Sequence, residues 1–208
     1  MRTEAVRTLG VLISGRGSNL QAINDAIAQG RLDATIAVVI SNRADAAGLE
    51  RARAAGIETR VIDHRDKARY PTREDYDRAL VAELKARGVG LVCLAGFMRL
   101  LSAEFSRAFP NAILNIHPSL LPAFAGLEAQ HQAWEHGVKV SGATVHLVTP
   151  ELDAGPIVLQ RAVPVLDGDT PETLAARILV EEHQLYPEAI RVVLEGGWRL
   201  DGRRFVKG

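Results

Sequence analysis

The first half of the chain alternates short apolar runs with longer segments whose apolar residues recur every three to four positions. The runs have the continuity of buried strands, and the segments between them have the periodicity of amphipathic helices. Strands are predicted over residues 8–14, 35–41, 59–62, 91–94 and 113–117. Helices are predicted over 19–29, 46–55 and 72–87, with Thr72 as a cap, and a short one after Ser102. This alternation predicts a parallel sheet covered by helices on both faces.

The second half of the chain has a different pattern. Residues 139–148 and 157–165 are strand-like, and the loop between them is too short for a crossover helix, so the two strands are predicted to be antiparallel. A final helix over 171–195 is predicted to be interrupted or bent at Pro187. The expected fold is therefore α/β and Rossmann-like, with a mostly parallel sheet and an antiparallel C-terminal extension. No repeat or linker divides the sequence, and a single domain over 1–208 is expected.

Composition narrows the classes of protein to consider. The 208 residues are 47% hydrophobic and 24% charged, as in an ordinary globular protein. Lys+Arg and Asp+Glu number 25 each, so bulk charge gives no attraction to nucleic acid or to an anionic membrane. No segment is long and apolar enough to cross a bilayer, and residues 1–7 contain no apolar core of signal-peptide length. We expect a cytoplasmic protein.

Cysteine and histidine give no sign of a metal site. The single cysteine, Cys93, lies in an apolar run and is expected to be a small buried hydrophobe. Five histidines lack the spacing or the clustered partners of a zinc site and are assigned no role: His64, His131, His136, His146 and His183. We therefore expect no metal.

The segment between the first predicted strand and the first predicted helix suits a phosphate. Gly15 and Gly17 allow a tight turn that brings backbone N–H groups close to a ligand, and the helix start adds unpaired donors and a positive dipole end. Ser18 and Asn19 add side-chain donors. The residues of a Walker loop and the third glycine of a dinucleotide fingerprint are absent. The alternative is a tight strand–helix turn in which Ser18 or Asn19 only caps the helix.

The most informative stretch lies at the end of the predicted fifth strand. Asn115 and His117 are two residues apart and share one face, and Pro118 ends the strand at the edge where open α/β sheets bind ligands. An amide donor beside an imidazole can stabilise an oxyanion and move a proton. Asp153 lies in a loop with prolines and a glycine, and a carboxylate near His117 would orient the ring and favour imidazolium. The alternatives are a capping asparagine, a histidine that fills the sheet edge and a solvated turn aspartate.

Five runs resemble the glycinamide ribonucleotide formyltransferase family over essentially the whole chain. They are LISGRGSNLQAI at 12–23, SNRADAAGL at 41–49, LAGFMR at 94–99, NIHPSLLP at 115–122 and ELDAGPIV at 151–158. Five runs in the right order are far more specific than any one of them. The resemblance implies formyl transfer from 10-formyltetrahydrofolate, a cosubstrate consumed in each turnover, to the amine of phosphoribosylglycinamide in purine biosynthesis.

The resemblance also implies a role for individual residues. Asn115, His117 and Asp153 match the family's catalytic trio, in which the amide and a protonated imidazole meet the oxyanion and the carboxylate helps to relay the proton. The positions that match ribonucleotide contacts are Gly17, Ser18, Asn19 and Glu182. The positions that match the folate site are Arg73, Met98, Arg99, Leu100, Leu101, Asn115, Thr149, Pro150, Glu151, Leu152 and Asp153.

The chain departs from the family's usual sequence at four positions outside the trio. Ala125 stands where proline is more common, Glu128 where histidine is, Ala154 where glycine is, and Leu179 where a glutamine contacts substrate. These changes bear on loop shape and ribonucleotide contacts rather than on the class of reaction.

Three other functions share some of these features. A 10-formyltetrahydrofolate deformylase looks similar around the trio, uses water as the nucleophile and usually has an extra N-terminal domain. A methionyl-tRNA formyltransferase has an extra C-terminal domain. A non-catalytic nucleotide- or folate-binding module would tolerate loss of the trio, all of which is present. The expected partners are the two small-molecule substrates, and the expected state is a monomer or a homodimer.

Overall fold

The structure is a computed structural model that describes residues 7–208. The N-terminal stretch that lacks a signal-peptide core lies, apart from Arg7, outside the described residues. The backbone separates into two compact units, one up to Leu114 and one from Asn115 onward. The expectation of a single domain over 1–208 stays a prediction. No helix within residues 7–208 has both the length and the apolar character needed to span a bilayer.

The first unit is built on four parallel strands. They are β1 (Thr8–Ile13), β2 (Thr35–Ser41), β3 (Thr59–Val61) and β4 (Leu91–Leu94), in the order β3-β2-β1-β4. The side chains of β1 and β4 are almost entirely buried, which explains why these strands appear in the sequence as continuous apolar runs. The predicted strands and their parallel pairing are confirmed here.

Helices connect these strands, as predicted. They are α1 (Ser18–Ala28), α2 (Ala47–Ala54), α3 (Arg73–Lys85) and α4 (Ala103–Ala108). The predicted cap at Thr72 is confirmed: its hydroxyl accepts from the Asp75 backbone N–H at 3.1 Å, and the Asp75 carboxylate accepts from the Thr72 N–H at 3.1 Å. Ser102 caps α4 in a similar way.

The second unit contains the predicted antiparallel pair. Strand β5 (Ile113–His117) crosses from the first unit into the second and is followed by α5 (Ala129–Glu135), β6 (Val140–Leu147) and β7 (Ile157–Pro164). Strands β6 and β7 are antiparallel, which confirms the prediction. Helix α6 (Pro171–Glu195) is continuous, so an interruption at Pro187, one of the two predicted alternatives, is wrong. Pro187 is buried together with Tyr186 and Ala189, and this packing offsets the lost hydrogen bond.

The residues after α6, for which no structure was predicted, form a hairpin. Strands β8 (Trp198–Asp201) and β9 (Arg204–Lys207) are antiparallel, and β9 pairs in parallel with β7 at Ile157. Gly202 has a φ of +59°, and the Trp198 and Phe205 rings stack with centroids 4.8 Å apart. The Asp-Gly pair at 201–202 is a strong hairpin signal that could have revealed these strands.

Candidate functional site

The glycine-rich loop of the first unit joins β1 directly to α1. The helix begins at Ser18, one residue earlier than predicted, and Gly17 is its N-cap with a φ of +73°. No side chain at the N-cap bonds the first turn, so the alternative in which Ser18 or Asn19 serves as the cap does not describe this turn. The first N–H groups of a helix lack acceptors within the helix, which makes this turn a ready site for an anion.

Helix α2 contacts this loop on one side. The Gly48 N–H donates to the Gly15 carbonyl at 3.0 Å, and the Arg51 Nε–H donates to the Arg16 carbonyl at 3.0 Å. A Cβ on Gly17 would lie 2.5 Å from the Gly48 Cα, so both positions require glycine for the backbones to approach this closely. The carbonyls of residues 15 and 16 are therefore turned toward α2.

A second loop of the first unit is fixed at both ends. The Met98 N–H donates to the Ser14 hydroxyl at 2.9 Å, and the Ser102 N–H donates to the Asp77 carboxylate at 2.6 Å. Met98 and the three residues between these anchors, Arg99, Leu100 and Leu101, are assigned to folate by resemblance. Met98 and Leu100 are 67% and 55% exposed, so this stretch presents apolar side chains to solvent on a fixed backbone.

Charged side chains accompany this loop: the charges of Arg73 and Arg99 both act on the Asp77 carboxyl. Burial raises the pKa of the Asp77 carboxyl above its ordinary value of 3.8, and the hydrogen bond from Ser102 opposes that shift. The Arg99 guanidinium lies 5.1 Å from the centroid of the Tyr76 ring, and Arg73 is the exposed first residue of α3. Asp77 was not predicted as a site residue, because its position in the sequence of α3 does not show that it is buried.

The second unit brings four polar side chains together. The Asp153 carboxylate lies 3.4 Å from His117 Nδ1 and 3.6 Å from His146 Nε2, and Asn115 Nδ2 lies 3.1 Å from the same His146 nitrogen. The side chains of His117, His146 and Asp153 are all at least nine-tenths buried. We call Asn115, His117, His146 and Asp153 the polar cluster. The predicted trio therefore meets in space, together with a histidine to which the sequence analysis assigned no role.

Backbone carbonyls determine which histidine nitrogens carry protons. His146 Nδ1 lies 3.1 Å from the Leu147 carbonyl, which can only accept, so Nδ1 carries the hydrogen. Burial lowers the pKa of His146 below its ordinary value of 6.5, so the ring is neutral and Nε2 accepts from the Asn115 amide. His117 Nε2 lies 2.8 Å from the Phe124 carbonyl, so that nitrogen also carries a hydrogen, and Nδ1 faces Asp153.

The backbone around Asp153 holds its carboxylate in the polar cluster. Asp153 has a φ of +49°, and its carboxylate accepts the Gly126 N–H at 2.9 Å. A side chain on Gly155 would run into the Leu147 carbonyl, so glycine is required there. Arg203, in the hairpin turn, donates to the Ala154 carbonyl at 2.7 Å. Asp153 is thus fixed on both sides and is not a solvated turn residue.

Comparison with known proteins identifies the family. Residues 7–190 match the formyl transferase family. The chain belongs to this family. It is 47% identical to the phosphoribosylglycinamide formyltransferase of Escherichia coli, over 93% of this chain and 87% of that protein. It is 49% identical to the human trifunctional purine biosynthetic protein adenosine-3, over 90% of this chain but only 18% of that protein. The chain thus spans less than a fifth of the length of these trifunctional relatives.

Solved structures of formyl transferases and related enzymes confirm the fold class. The glycinamide ribonucleotide transformylase 1 of Symbiobacterium toebii superposes with a TM-score of 0.94 at 60% identity, over 98% of this chain and 94% of that chain. A formyltetrahydrofolate deformylase of Pseudomonas syringae superposes with a TM-score of 0.89 at 28% identity, over 97% of this chain and 65% of that chain. The fold is the predicted Rossmann-like α/β fold.

The remaining residues assigned by resemblance differ in their burial. Glu182 is buried in α6, whereas Glu151 and Leu152 are exposed in the loop between β6 and β7. The Leu121–Pro122 peptide, whose isomer the sequence leaves open, is cis. Among residues 7–208, no three histidine, cysteine, aspartate or glutamate side chains are arranged to hold a metal ion.

His146 is the residue of the polar cluster that sequence reasoning missed. It lies near the end of a strand whose other residues are all uncharged, seven residues before Asp153, and this placement is the one signal that could have found it. That signal is weak because a histidine in an apolar strand is more often a core residue than a site residue.

Proposed function

We propose that this chain transfers the formyl group of 10-formyltetrahydrofolate to the amine of phosphoribosylglycinamide, a step of purine biosynthesis. The observation that carries the proposal is the convergence of Asn115, His117 and Asp153, with 3.4 Å between the imidazole and the carboxylate. Family membership and the name of the Escherichia coli relative support the choice of substrates.

The polar cluster supplies the groups that this reaction needs. The substrate amine attacks the formyl carbon, a new C–N bond forms, and negative charge develops on the formyl oxygen. The second N–H of the Asn115 amide and the Nε2–H of His117 donate to that oxygen, which replaces the Phe124 carbonyl as the acceptor for His117. Each donor aimed at the developing charge lowers the activation barrier by on the order of 3 kcal/mol.

Asp153 completes the transfer by handling the proton. The amine nitrogen loses a proton after attack, and the carboxylate accepts it and passes it, through water, to the folate nitrogen as the C–N bond to that nitrogen breaks. His117 can donate to the formyl oxygen and to Asp153 together only when both ring nitrogens carry hydrogen, and its Nδ1 then faces the Asp153 carboxylate across 3.4 Å.

Binding of the two substrates is assigned to further residues and, for the folate, also to two members of the polar cluster. For the ribonucleotide, Gly17, Ser18 and Asn19 bind the phosphate and Glu182 contacts the rest of the molecule. For the folate, the residues of the first unit are Arg73, Met98, Arg99, Leu100 and Leu101. Those of the second unit are Asn115, Thr149, Pro150, Glu151, Leu152 and Asp153.

The main rival function is hydrolysis of 10-formyltetrahydrofolate, as in a deformylase. The TM-score of 0.89 to the Pseudomonas syringae deformylase favours keeping it as a candidate. The two reactions differ in the nucleophile, which is water in one and the ribonucleotide amine in the other. A non-catalytic binding module is disfavoured, because the buried and oriented Asp153 has no evident role in such a protein.

One experiment separates these functions. Tetrahydrofolate release from 10-formyltetrahydrofolate is followed with phosphoribosylglycinamide, with its dephosphorylated form, and with neither. A formyltransferase requires the amine substrate, and the phosphate loop predicts much weaker binding of the dephosphorylated form. Release at the same rate with no amine present would establish a hydrolase, and no release under any condition would establish a binding module.

The remaining proposals concern metal, partners and location. We expect turnover to be independent of divalent ions, because the reaction as written draws every charge-stabilising group from side chains. A chelator that abolishes turnover, with zinc or magnesium restoring it, would contradict this. We further propose that the protein acts in the cytoplasm on small molecules alone, as a monomer or a homodimer.

A further inference from the structure

We propose that Arg51 is a positioning residue for the substrate phosphate, acting through its hydrogen bond to the Arg16 carbonyl. It fixes the peptide between Arg16 and Gly17 so that the Gly17 N–H faces the phosphate. This inference rests on the proposed function, in which Gly17, Ser18 and Asn19 bind that group. Arg51 lies on α2, outside every motif that the resemblance assigned to substrate.

The geometry of the peptide bond links the Arg51 hydrogen bond to the direction of the Gly17 N–H. In a trans peptide the carbonyl and the N–H point in opposite directions. The Arg16 carbonyl accepts from Arg51 Nε at 3.0 Å, so the Gly17 N–H points away from Arg51. The Gly15 carbonyl accepts from the Gly48 N–H at 3.0 Å, so the Arg16 N–H also points away from α2. Two consecutive donors are thus turned to the side of the loop opposite α2.

Such a constraint is needed because the loop contains two glycines. Gly17 has a φ of +73°, and a glycine passes between backbone conformations more easily than other residues do. Rotation of the 16–17 peptide would turn the Arg16 carbonyl toward the phosphate and the N–H away from it. A carbonyl oxygen repels an anion, so the flipped loop would bind phosphate poorly. The Arg51 hydrogen bond is lost on flipping and therefore favours the binding conformation.

Among residues 7–208 Arg51 takes part in no competing surface ion pair. Its neighbour Glu50 pairs with Arg53. Within residues 7–208 no carboxylate lies within salt-bridge distance of Arg51. The contact that accounts for the position of this side chain is the one with the phosphate loop.

Two substitutions separate the hydrogen bond from the charge. In Arg51→Gln the side-chain nitrogen occupies the place of Nε, so the donor is kept and the charge is removed. In Arg51→Met a methyl group occupies that place, so the donor and the charge are both removed. The Met and Gln side chains have similar volumes. We expect Arg51→Met to raise the KM for phosphoribosylglycinamide about fivefold, the factor that one ordinary hydrogen bond contributes. Arg51→Gln should stay within about twofold of wild type.

Further readouts distinguish positioning from general damage. Both variants should keep the wild-type kcat, KM for 10-formyltetrahydrofolate and melting temperature, and the Met variant should handle the dephosphorylated substrate as the wild type does. Equal KM increases in the Gln and Met variants, with Arg51→Lys near wild type, would mean that charge acts instead and would overturn the inference. An equal rise of KM for the phosphorylated and the dephosphorylated substrate in the Met variant would overturn the inference too. If the wild-type enzyme itself does not discriminate the two substrates, the phosphate site of the proposed function fails, whatever the variants do.

Discussion

The phosphate loop and the polar cluster are built in opposite ways. The loop is a continuous stretch of four residues between β1 and α1, and it presents backbone N–H groups. The polar cluster draws four side chains from β5, β6 and the loop after β6, across almost forty residues of sequence. One site depends on the path of the main chain, and the other depends on the identity of particular side chains.

This difference determines how each site responds to substitution. A backbone site tolerates changes of side chain but fails when the main chain is displaced, so its sensitive positions are glycines and the residues that contact its carbonyls. A side-chain site fails when a single functional group is changed, even if every atom stays in place. Substitutions chosen to conserve shape should therefore harm the polar cluster, and substitutions that shift the backbone should harm the phosphate loop.

The largest effect is expected from Asp153→Asn. The amide has the shape of the carboxylate and can still accept the Gly126 N–H, so the loop should stay folded. It cannot accept a proton, so kcat should fall on the order of 10²-fold or more, the scale of a positioned acid–base group. The KM values should change less than kcat does. Steady-state kinetics beside a melting curve would measure both.

The control for this substitution is Asp167→Asn. Asp167 is 93% exposed and pairs with Lys139 at the surface, so the same chemical change should leave kcat and stability close to wild type. If Asp153→Asn also keeps the wild-type kcat, Asp153 has no catalytic role, and the polar cluster does not depend on the identity of this side chain.

A smaller effect, on binding rather than on turnover, is expected from Gly48→Ala. The added Cβ would lie 2.6 Å from Ile13 Cδ1 and 3.0 Å from the Gly17 Cα, so the loop or α2 must move. We expect the KM for phosphoribosylglycinamide to rise about tenfold, or ~1.4 kcal/mol, with kcat close to wild type. Gly168→Ala is the matched control, because a Cβ there meets no atom within 4 Å. A loss confined to kcat would show that the loop does not act through phosphate binding.

The two regions also differ in how far the sequence predicted them. The phosphate loop was located from its glycines and from the change of pattern between strand and helix, which are local properties. Asn115 and His117 were placed on one strand face by the same local reasoning. Their proximity to Asp153 was expected from the position of its loop and from family resemblance.

What the sequence did not reveal depends on contacts between distant segments. His146 received no role because nothing near it in sequence shows that it contacts Asn115 and Asp153. Arg51 and Asp77 were missed for the same reason, since each acts on a loop more than twenty residues away. The hairpin of β8 and β9 is different: its Asp-Gly turn is a local signal that was present and not used.

The smallest effect concerns the pH dependence of stability, and it tests whether His146 is neutral in the polar cluster. Burial lowers the pKa of His146 in the folded protein below 6.5. As the pH falls below about 6.5, the unfolded chain takes up a proton on this ring before the folded chain does, so stability is lost through that window. His146→Gln keeps a hydrogen-bonding partner for Asn115 and removes the titrating group. Urea unfolding at about pH 7 and about pH 5 should therefore show a smaller loss in the variant than in wild type. His131→Gln, at an exposed position, should keep the wild-type dependence. If His146→Gln loses as much stability as wild type does, the ring is not a neutral acceptor, and the orientation of Asn115 must have another cause.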